Sequence, residues 1–255
     1  MSKIAGAVRE IYRMDEIAAR DTWLNHIHPL IKLIITVLYI IITVSFGKYD
    51  LAGVLVMSVY PAALFVLGEV SFKDSLKKIW ILLPFVCFVG IFNPIFDRQP
   101  ALLIGDFIIT AGMISMVTLI LKGILSVLAS YLLIATTNIE KICYALRILH
   151  VPTILVTEIL LAYRYISVLL NEAGRIIDAY SLRAPGQKGV HFKVWGSLAG
   201  QLLLRSMDRA SAVYESMTLR GYSGEFYYGE KRALNKKDCF YFLVWTSVFT
   251  GVKLI

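Results

Sequence analysis

Leu30-Ile-Lys-Leu-Ile-Ile-Thr-Val-Leu-Tyr-Ile-Ile-Ile-Thr-Val-Ser-Phe46 is the stretch on which the fold turns. Nearly every side chain in it is apolar, and its length approaches the roughly 20 residues an α-helix needs to cross a bilayer. Lys32 stands near one end, where its stem is expected to snorkel to the interface. Gly47-Lys-Tyr-Asp50 follows, and then a second apolar run at 51–67 carrying Pro61 as a point of kinking. The two runs form a tight hairpin of spanning helices. Residues 69–78 are polar and carry Lys73, Lys77 and Lys78, after which 80–96 regains membrane character with Pro84 inside it and ends near Asn93-Pro94. A moderately polar loop at 97–106 leads into 107–134, a run too long for one straight crossing and too short for two. It is expected to be one long helix, with Lys122 at the interface or buried among helices.

Composition places the whole chain in the same class. Of 255 residues 58% are hydrophobic and 17% charged, with a mean hydropathy of +0.69, against about a quarter charged in soluble domains. The formal charge of +8 raises the question of nucleic acid. The basic residues flank apolar runs rather than forming a compact basic face with interleaved aromatics, so no nucleic-acid partner is expected. Cys87, Cys143 and Cys239 are far apart and form no C-x-x-C pair, which supports neither a disulfide framework nor a zinc site. Each is expected to serve as a small buried hydrophobe. Glu10, Asp15, Glu16 and Asp21 interrupt the first 29 residues, so no cleavable secretory signal is expected and membrane insertion starts with the first span.

The character changes over 135–238, where arginines, lysines and acids recur every few positions and no uncharged run of membrane length remains. This region is expected to be amphipathic and helical. Apolar residues recur from Thr153 to Leu182 through Ile159, Tyr163, Ile166, Leu170, Ile177 and Tyr180, as one long helix or a bent pair. Ala184-Pro185-Gly186 stops it. Trp195 to Arg220 is a second helix with Gly221 as its C-terminal stop. The last apolar run, 240–255, is short for a crossing.

The fold class is therefore an all-α integral membrane protein with about five transmembrane helices and long amphipathic cytoplasmic helices. Its parts are an N-terminal cytoplasmic or interfacial segment (1–29), a membrane domain of four spans (30–134), a cytoplasmic helical region (135–238) and a last span (239–255). The excess of lysine and arginine in 69–78 and 135–238 puts both on the cytoplasmic side, with the near-neutral 47–50 and 97–106 loops outside. The N-terminus is then inside, in a multi-pass protein of the cell's inner membrane.

One pattern occurs twice: Asp178-Ala-Tyr-Ser-Leu-Arg183-Ala184 and Glu215-Ser-Met-Thr-Leu-Arg220-Gly221. Both copies run acid, two spacers, hydroxyl, Leu, Arg, small residue. A cation in the last turn of a helix is favoured by the macrodipole by about 0.3 to 1 kcal/mol, so either copy alone is explained by capping. Two copies in one segment point further, to a pair of docking points. Arginine's rigid fork binds a partner carboxylate bidentately.

At these residues the sequence resembles the transmembrane T component of energy-coupling-factor transporters, in the cobalt-type CbiQ branch. The likeness spans the chain: Asp15-Glu-Ile-Ala, then Asn25-His-Ile-His28-Pro29-Leu-Ile-Lys32 leading into the first span, and Thr218-Leu-Arg220-Gly221-Tyr222 with Gly224-Glu225-Phe226 after it. In that family two Ala-Arg-Gly-like motifs close two coupling helices whose arginines are implied to enter grooves on two ATP-binding-cassette subunits. Carried over, these are Arg183 and Arg220, flanked by Leu182, Ala184, Leu219 and Gly221. The first copy reads Leu-Arg-Ala, so Pro185-Gly186 is the alternative source of its turn. The resemblance implies a non-catalytic coupling subunit that binds no cofactor. ATP is then used by the two ATPase partners and Co²⁺, or Ni²⁺, is the cargo. A membrane-embedded metal-binding substrate component and a small accessory membrane subunit are the implied membrane partners. His28, Pro29 and Lys32 form a recurrent motif without an assigned role.

Absent motifs separate the alternatives. There is no G-x-x-x-x-G-K-[ST] phosphate loop, so the chain is not expected to be the ATPase. No H-E-x-x-H, G-x-S-x-G or aspartate cluster for Mg²⁺ and a diphosphate occurs, which weakens the alternative of a membrane-bound lipid-modifying enzyme. The spans lack the buried carboxylates or histidines of a proton or cation pathway. A T component for nickel or a vitamin, and a plain membrane anchor for a soluble complex, remain as further alternatives. His26 and His28 form an H-x-H that falls short of a metal site, read instead as interfacial polar residues. Gly196-Ser-Leu-Ala-Gly200 is a G-x-x-x-G for close helix approach or a chance pair. Glu158, Arg164 and Glu172 are expected to face solvent or an interface.

Overall fold

A computed structural model describes residues 2–20, 22–97, 100–104, 107–187, 189–224 and 234–254. Asp21, Asp106, Glu225 and Phe226 lie outside them. The helices in chain order are α1 (Ser2–Ala18), α2 (Pro29–Ser45), α3 (Leu51–Met57), α4 (Val59–Gly68), α5 (Phe72–Gly90), α6 (Phe92–Phe96), α7 (Ala111–Thr136), α8 (Ile139–Ile148), α9 (Thr153–Arg183), α10 (Trp195–Leu219) and α11 (Lys236–Leu254). One antiparallel hairpin, β1 (Pro100–Ile104) with β2 (Phe107–Thr110), pairs Leu103 with Ile108 and Ile104 with Phe107. The first residues of the expected 107–134 span are therefore strand, in keeping with the β-branched run Ile108-Ile-Thr110. The helix occupies Ala111–Thr136 instead.

This is an all-α integral membrane protein. Among the described residues three helices are long and apolar enough to cross a membrane, Leu51–Gly68 (α3 and α4), Ala111–Thr136 and Thr153–Arg183. A fourth is the pair Ser75–Ile81 and Leu83–Ile95, bent by 43° at the residues just before Pro84, whose ring and missing N–H account for the bend. Pro29–Ser45 is apolar but shorter. The expected last run lies in α11, whose polar first turn keeps it out of this set. Thr153–Arg183 falls within the region expected to be cytoplasmic and to hold no uncharged run of membrane length; its run is interrupted by Glu158 and Arg164, which do not outweigh the apolar residues around them.

The chain forms two compact units, one of residues 1–16 and 139–231, the other of 17–138 and 232–255. In the second unit α2 and α7 are antiparallel and each carries a lysine that caps the other. Lys32 Nζ in α2 donates to the Thr136 carbonyl at the end of α7 at 2.9 Å. Lys122 Nζ in α7 donates to the Phe46 carbonyl at the end of α2 at 2.6 Å. A cation at a helix C-terminus meets carbonyls with no partner of their own and the negative end of the macrodipole. Lys32 does not snorkel: it is 4% exposed, because the terminal carbonyls of α7 supply inside the protein what the interface would supply outside.

Pro61 explains a second internal bond. Without an N–H it leaves the Met57 carbonyl, four residues back, without its helical donor. The buried Tyr39 hydroxyl donates to that carbonyl at 3.0 Å, and the helix breaks at Ser58 between α3 and α4. Around this point Tyr39, Tyr60, Trp245 and Phe249 form an aromatic cluster, with Phe249 centred 5.4 Å from Tyr39 and 5.3 Å from Tyr60. It fastens α11 beside α2. Close approach fixes one glycine: a Cβ on Gly112 would lie 2.5 Å from the Asp97 carbonyl, where α6 meets the start of α7.

In the first unit α8 and α9 enclose Cys143, Val156 and Leu160, with Leu146 and Val151 against them. The reversal between these helices is a Schellman ending with His150 in the left-handed region at φ 61°. Val151 N–H donates to Leu146 C=O and His150 N–H to Arg147 C=O. The Asp15 carboxylate on α1 accepts the Tyr163 hydroxyl of α9 at 2.7 Å. Glu172 on α9 accepts from Arg205 on α10.

Phe249 is fully buried in the aromatic cluster. Phe249→Ala is expected to lower stability by about 3 to 5 kcal/mol, measured by thermal unfolding in detergent. A loss below about 1 kcal/mol would show that this cluster does not hold α11 in place.

Candidate functional site

The two arginines of the repeated pattern end two helices in different ways. α10 closes in a Schellman motif: Tyr222 N–H donates to Met217 C=O at 2.9 Å and Gly221 N–H to Thr218 C=O at 3.0 Å. Gly221 takes φ +84°, a conformation that costs any side-chain-bearing residue about 1 to 2 kcal/mol. Leu219 is the last helical residue and Arg220 the C-cap. α9 runs unbroken for 31 residues to Arg183, and Ala184 caps it in an ordinary negative-φ conformation. The left-handed residue here is Gly186, at φ +97°, so the chain reverses at Pro185-Gly186. The Tyr180 hydroxyl donates to Gln187 Oε1 at 2.8 Å and closes this turn.

Despite the different turns, the side chains at the two ends are presented alike. Leu182 is 82% exposed and Leu219 89%, and Arg183 and Arg220 are both exposed. Among the described residues neither arginine has an acidic partner. A leucine held in water beside an unpaired arginine, at the ends of two helices, is surface that gains from being covered.

Arg220 also lines a groove of 610 Å³ between α9 and α10, with Arg164, Arg209, Tyr165, Met217 and Tyr222. A 370 Å³ extension shares several of these residues and continues past Leu169, Ala210 and Tyr214. Arg164 is paired with Glu140 at 3.0 Å, an exposed contact of small energetic weight. The groove is thus lined by three arginines together with Leu161, Val213 and Met217. Arg209 and Arg205 carry no repeat or motif and are invisible to pattern reading. Their only sequence signal is their spacing: Arg205, Arg209 and Arg220 recur along one helix.

The segment leading into α2 has a different role. The Asp238 carboxylate, 3% exposed, accepts His28 N–H through Oδ1 at 2.9 Å and Asn235 N–H through Oδ2 at 2.9 Å. His28 is the N-cap of α2 and Asn235 immediately precedes the first residue of α11, so one carboxylate serves the positive ends of two helices. Pro29 takes the first helical position, where its missing N–H costs nothing. His28 Nδ1 accepts Leu30 N–H at 3.3 Å, and His26 Nδ1 bonds the Thr22 carbonyl at 3.0 Å. The H-x-H histidines thus shape the backbone around them. Among the described residues no group of three or more His, Cys, Asp or Glu could hold a metal ion.

Other candidates resolve simply. A Cβ on Gly196 or Gly200 would meet nothing within 4 Å, so G-x-x-x-G brings no helix close here. Glu158 is exposed and Glu172 bridges α9 and α10 through Arg205. Cys143 is fully buried. Burial, with Glu140 nearby, pushes its thiol up and keeps it protonated and inert. Cys87 is half-buried and Cys239 exposed, so the expectation of buried cysteines holds only for Cys143. At the opposite end of α2, Asp97 accepts from Lys48 and from Tyr49. The Tyr49 hydroxyl, then Asp97, hold the Lys48 ammonium above the ordinary lysine value.

The chain belongs to the CbiQ cobalt transport protein family, which it matches over residues 20–228. It is 26% identical over 244 residues to the uncharacterized protein MJ1571 of Methanocaldococcus jannaschii, covering 91% of this chain and 82% of that one. It is 26% identical to the cobalt transport protein CbiQ of Salmonella typhimurium, over 58% of this chain and 71% of that protein. It is 25% identical to the energy-coupling factor transporter transmembrane protein EcfT of Leuconostoc gelidum subsp. gasicomitatum, over 79% and 80%. The chain is thus a membrane component of a transporter for cobalt or a related metal.

Gly221→Ala is expected to cost about 1 kcal/mol through its left-handed backbone, whereas Ala184→Gly, at a position of ordinary φ, changes stability by less than about 0.5 kcal/mol. Thermal unfolding of the purified chain distinguishes the two. Equal effects would mean that the two ends close by the same turn.

Proposed function

We propose that this chain is the transmembrane coupling subunit of an ATP-driven energy-coupling-factor transporter that takes up Co²⁺. It transmits the motion of two ATP-binding-cassette ATPase subunits to a separate metal-binding membrane subunit. The observation that carries this reading is the pair of exposed Leu-Arg ends, Leu182-Arg183 and Leu219-Arg220, in a chain of the CbiQ family. Each leucine offers apolar area to a groove on an ATPase and each arginine a bidentate donor to a carboxylate beside it. The arginine-lined groove beside Arg220 extends that surface along α9 and α10. ATP is hydrolysed on the partners, and this chain contributes rigid helices that tilt when the ATPases approach each other. The excess of lysine and arginine in 69–78 and 135–238 supports a cytoplasmic N-terminus and cytoplasmic ATPase-facing helices, with the multi-pass unit in the inner membrane. The metal is chosen by the substrate subunit. Co²⁺ is favoured over Ni²⁺ by the family's description, since the two ions suit similar donor sets.

Arg183→Glu with Arg220→Glu is expected to abolish copurification with the ATPases, or to lower Co²⁺ uptake by about a hundredfold, the scale of a broken buried charge pair. Arg220→Lys keeps the charge but loses the fork, and should fall between native and reversed. A double reversal that assembles and transports normally overturns the docking reading. Uptake of Ni²⁺ and not Co²⁺ by the native complex would reassign the cargo alone.

A further inference from the structure

The chain passes between its two compact units at 16/17, at 138/139 and at 231/232. On the side of the second unit, each passage is followed or preceded within a few residues by a backbone group held by a buried polar side chain. Asn25, 8% exposed, donates through Nδ2 to the carbonyls of Ala18 at 3.3 Å and Arg20 at 2.8 Å. These are the residues with which the unit begins. Lys32, 4% exposed, donates to Thr136 C=O at 2.9 Å and Thr137 Oγ1 at 3.4 Å, just before the chain leaves. Asp238 accepts Asn235 N–H as α11 begins after the return, and with its other oxygen accepts His28 N–H. Asn25, His28 and Lys32 fall in one run of eight residues, so a single short segment carries the grip on all three.

This arrangement is more than stable packing requires. Apolar side chains of similar volume could fill the same space, and buried charges are retained at a cost in desolvation. What charged and amide groups add is direction: each fixes a specific backbone atom, and a displaced partner leaves a polar group unsatisfied in a low-dielectric interior. Such a link is stiff and has few alternative states. The lysine reaches the end of α7, the carboxylate the starts of α2 and α11, and the amide the end of α1, so the grips beside the three passages all involve the short segment from Asn25 to Lys32.

We propose that Asn25, Lys32 and Asp238 form the joint through which displacement of the α8–α10 unit is passed to α2, α7 and α11. They are positioning residues for transport rather than parts of a docking or metal site. The proposal rests on the coupling role above and adds where the coupling enters the membrane unit.

The test uses the assembled transporter in vesicles, with Lys32→Met, Lys32→Arg and Asp238→Asn, reading ATPase copurification, ATP hydrolysis and uptake of radioactive Co²⁺. With Lys32→Met or Asp238→Asn, copurification stays native, hydrolysis stays within about twofold, and uptake falls by about tenfold or more, a loss of the size of an allosteric coupling. Lys32→Arg, which still presents N–H donors to the α7 carbonyls, recovers most of the uptake. Native uptake by Lys32→Met overturns the joint, and so does equal impairment by Lys32→Met and Lys32→Arg. Should Lys32→Met fail to insert, Asp238→Asn, which keeps the volume, decides in the same way. A further arm needs no partner: hydrogen exchange in residues 132–139 of the purified chain rises in Lys32→Met and not in Lys32→Arg, and unchanged exchange in Lys32→Met overturns the joint. The docking reading fails instead through copurification by Arg183→Glu with Arg220→Glu, a readout that the joint variants leave native.

Discussion

A lysine ammonium resting on the last carbonyl of α7 sets the frame of the membrane unit. Lys32 and Lys122 cap each other's helices from opposite ends, so α2 and α7 are locked in register as an antiparallel pair. A register slip would take the buried Lys32 ammonium off the Thr136 carbonyl, and a buried polar group left without a partner costs about 1 to 3 kcal/mol. Once this pair is fixed, the rest of the unit has defined surfaces to meet. α11 lies parallel to α2, tied at its start through Asp238 to His28 and at its end through Lys253 to Ser45. The aromatic cluster fills the space between them.

Among the described residues of this unit the two buried charges, Lys32 and Asp238, both sit on helix ends. Asp238 sits where α2 and α11 present N–H groups, and Lys32 and Lys122 where α7 and α2 present carbonyls. At each such end a helix has unsatisfied backbone groups and a partial charge of opposite sign. That economy matters in a bilayer, where water cannot satisfy a frayed terminus. The Tyr39 hydroxyl over the carbonyl freed by Pro61 follows the same rule inside a helix. The proline introduces a break, and the tyrosine makes the break harmless.

The first unit obeys a different economy. Its helix ends at Arg183 and Arg220 are finished by their own turns, and the side chains they carry are left in water. A Schellman ending needs only local backbone bonds, so the turn does not draw on the side chains of Leu219 and Arg220, which are exposed. The end of α9 reaches the same outcome through Pro185-Gly186, with Ala184 in an ordinary conformation. The small residue after each arginine is thus not the shared element; the exposed Leu-Arg pair is.

Sequence alone determined the membrane class, the helical content and the places where helices stop. Those properties depend on local quantities: apolar run length, the backbone freedom of glycine and the missing N–H of proline. The two arginines were legible for the same reason, since a repeated local pattern needs no tertiary partner to be seen. Tertiary structure decided where the polar side chains go. Lys32 looks like an interfacial anchor until α7 supplies carbonyls to it from 104 residues away, and Asp238 looks like part of a polar linker until His28 binds it across 210 residues. The strand pair Pro100–Ile104 with Phe107–Thr110 and the membrane-length run in Thr153–Arg183 lie between these cases, because a short β-branched run and isolated charges decide an element only together with what surrounds them. Whether a buried charge is tolerable depends on which backbone groups face it, and that is fixed only when distant helices meet.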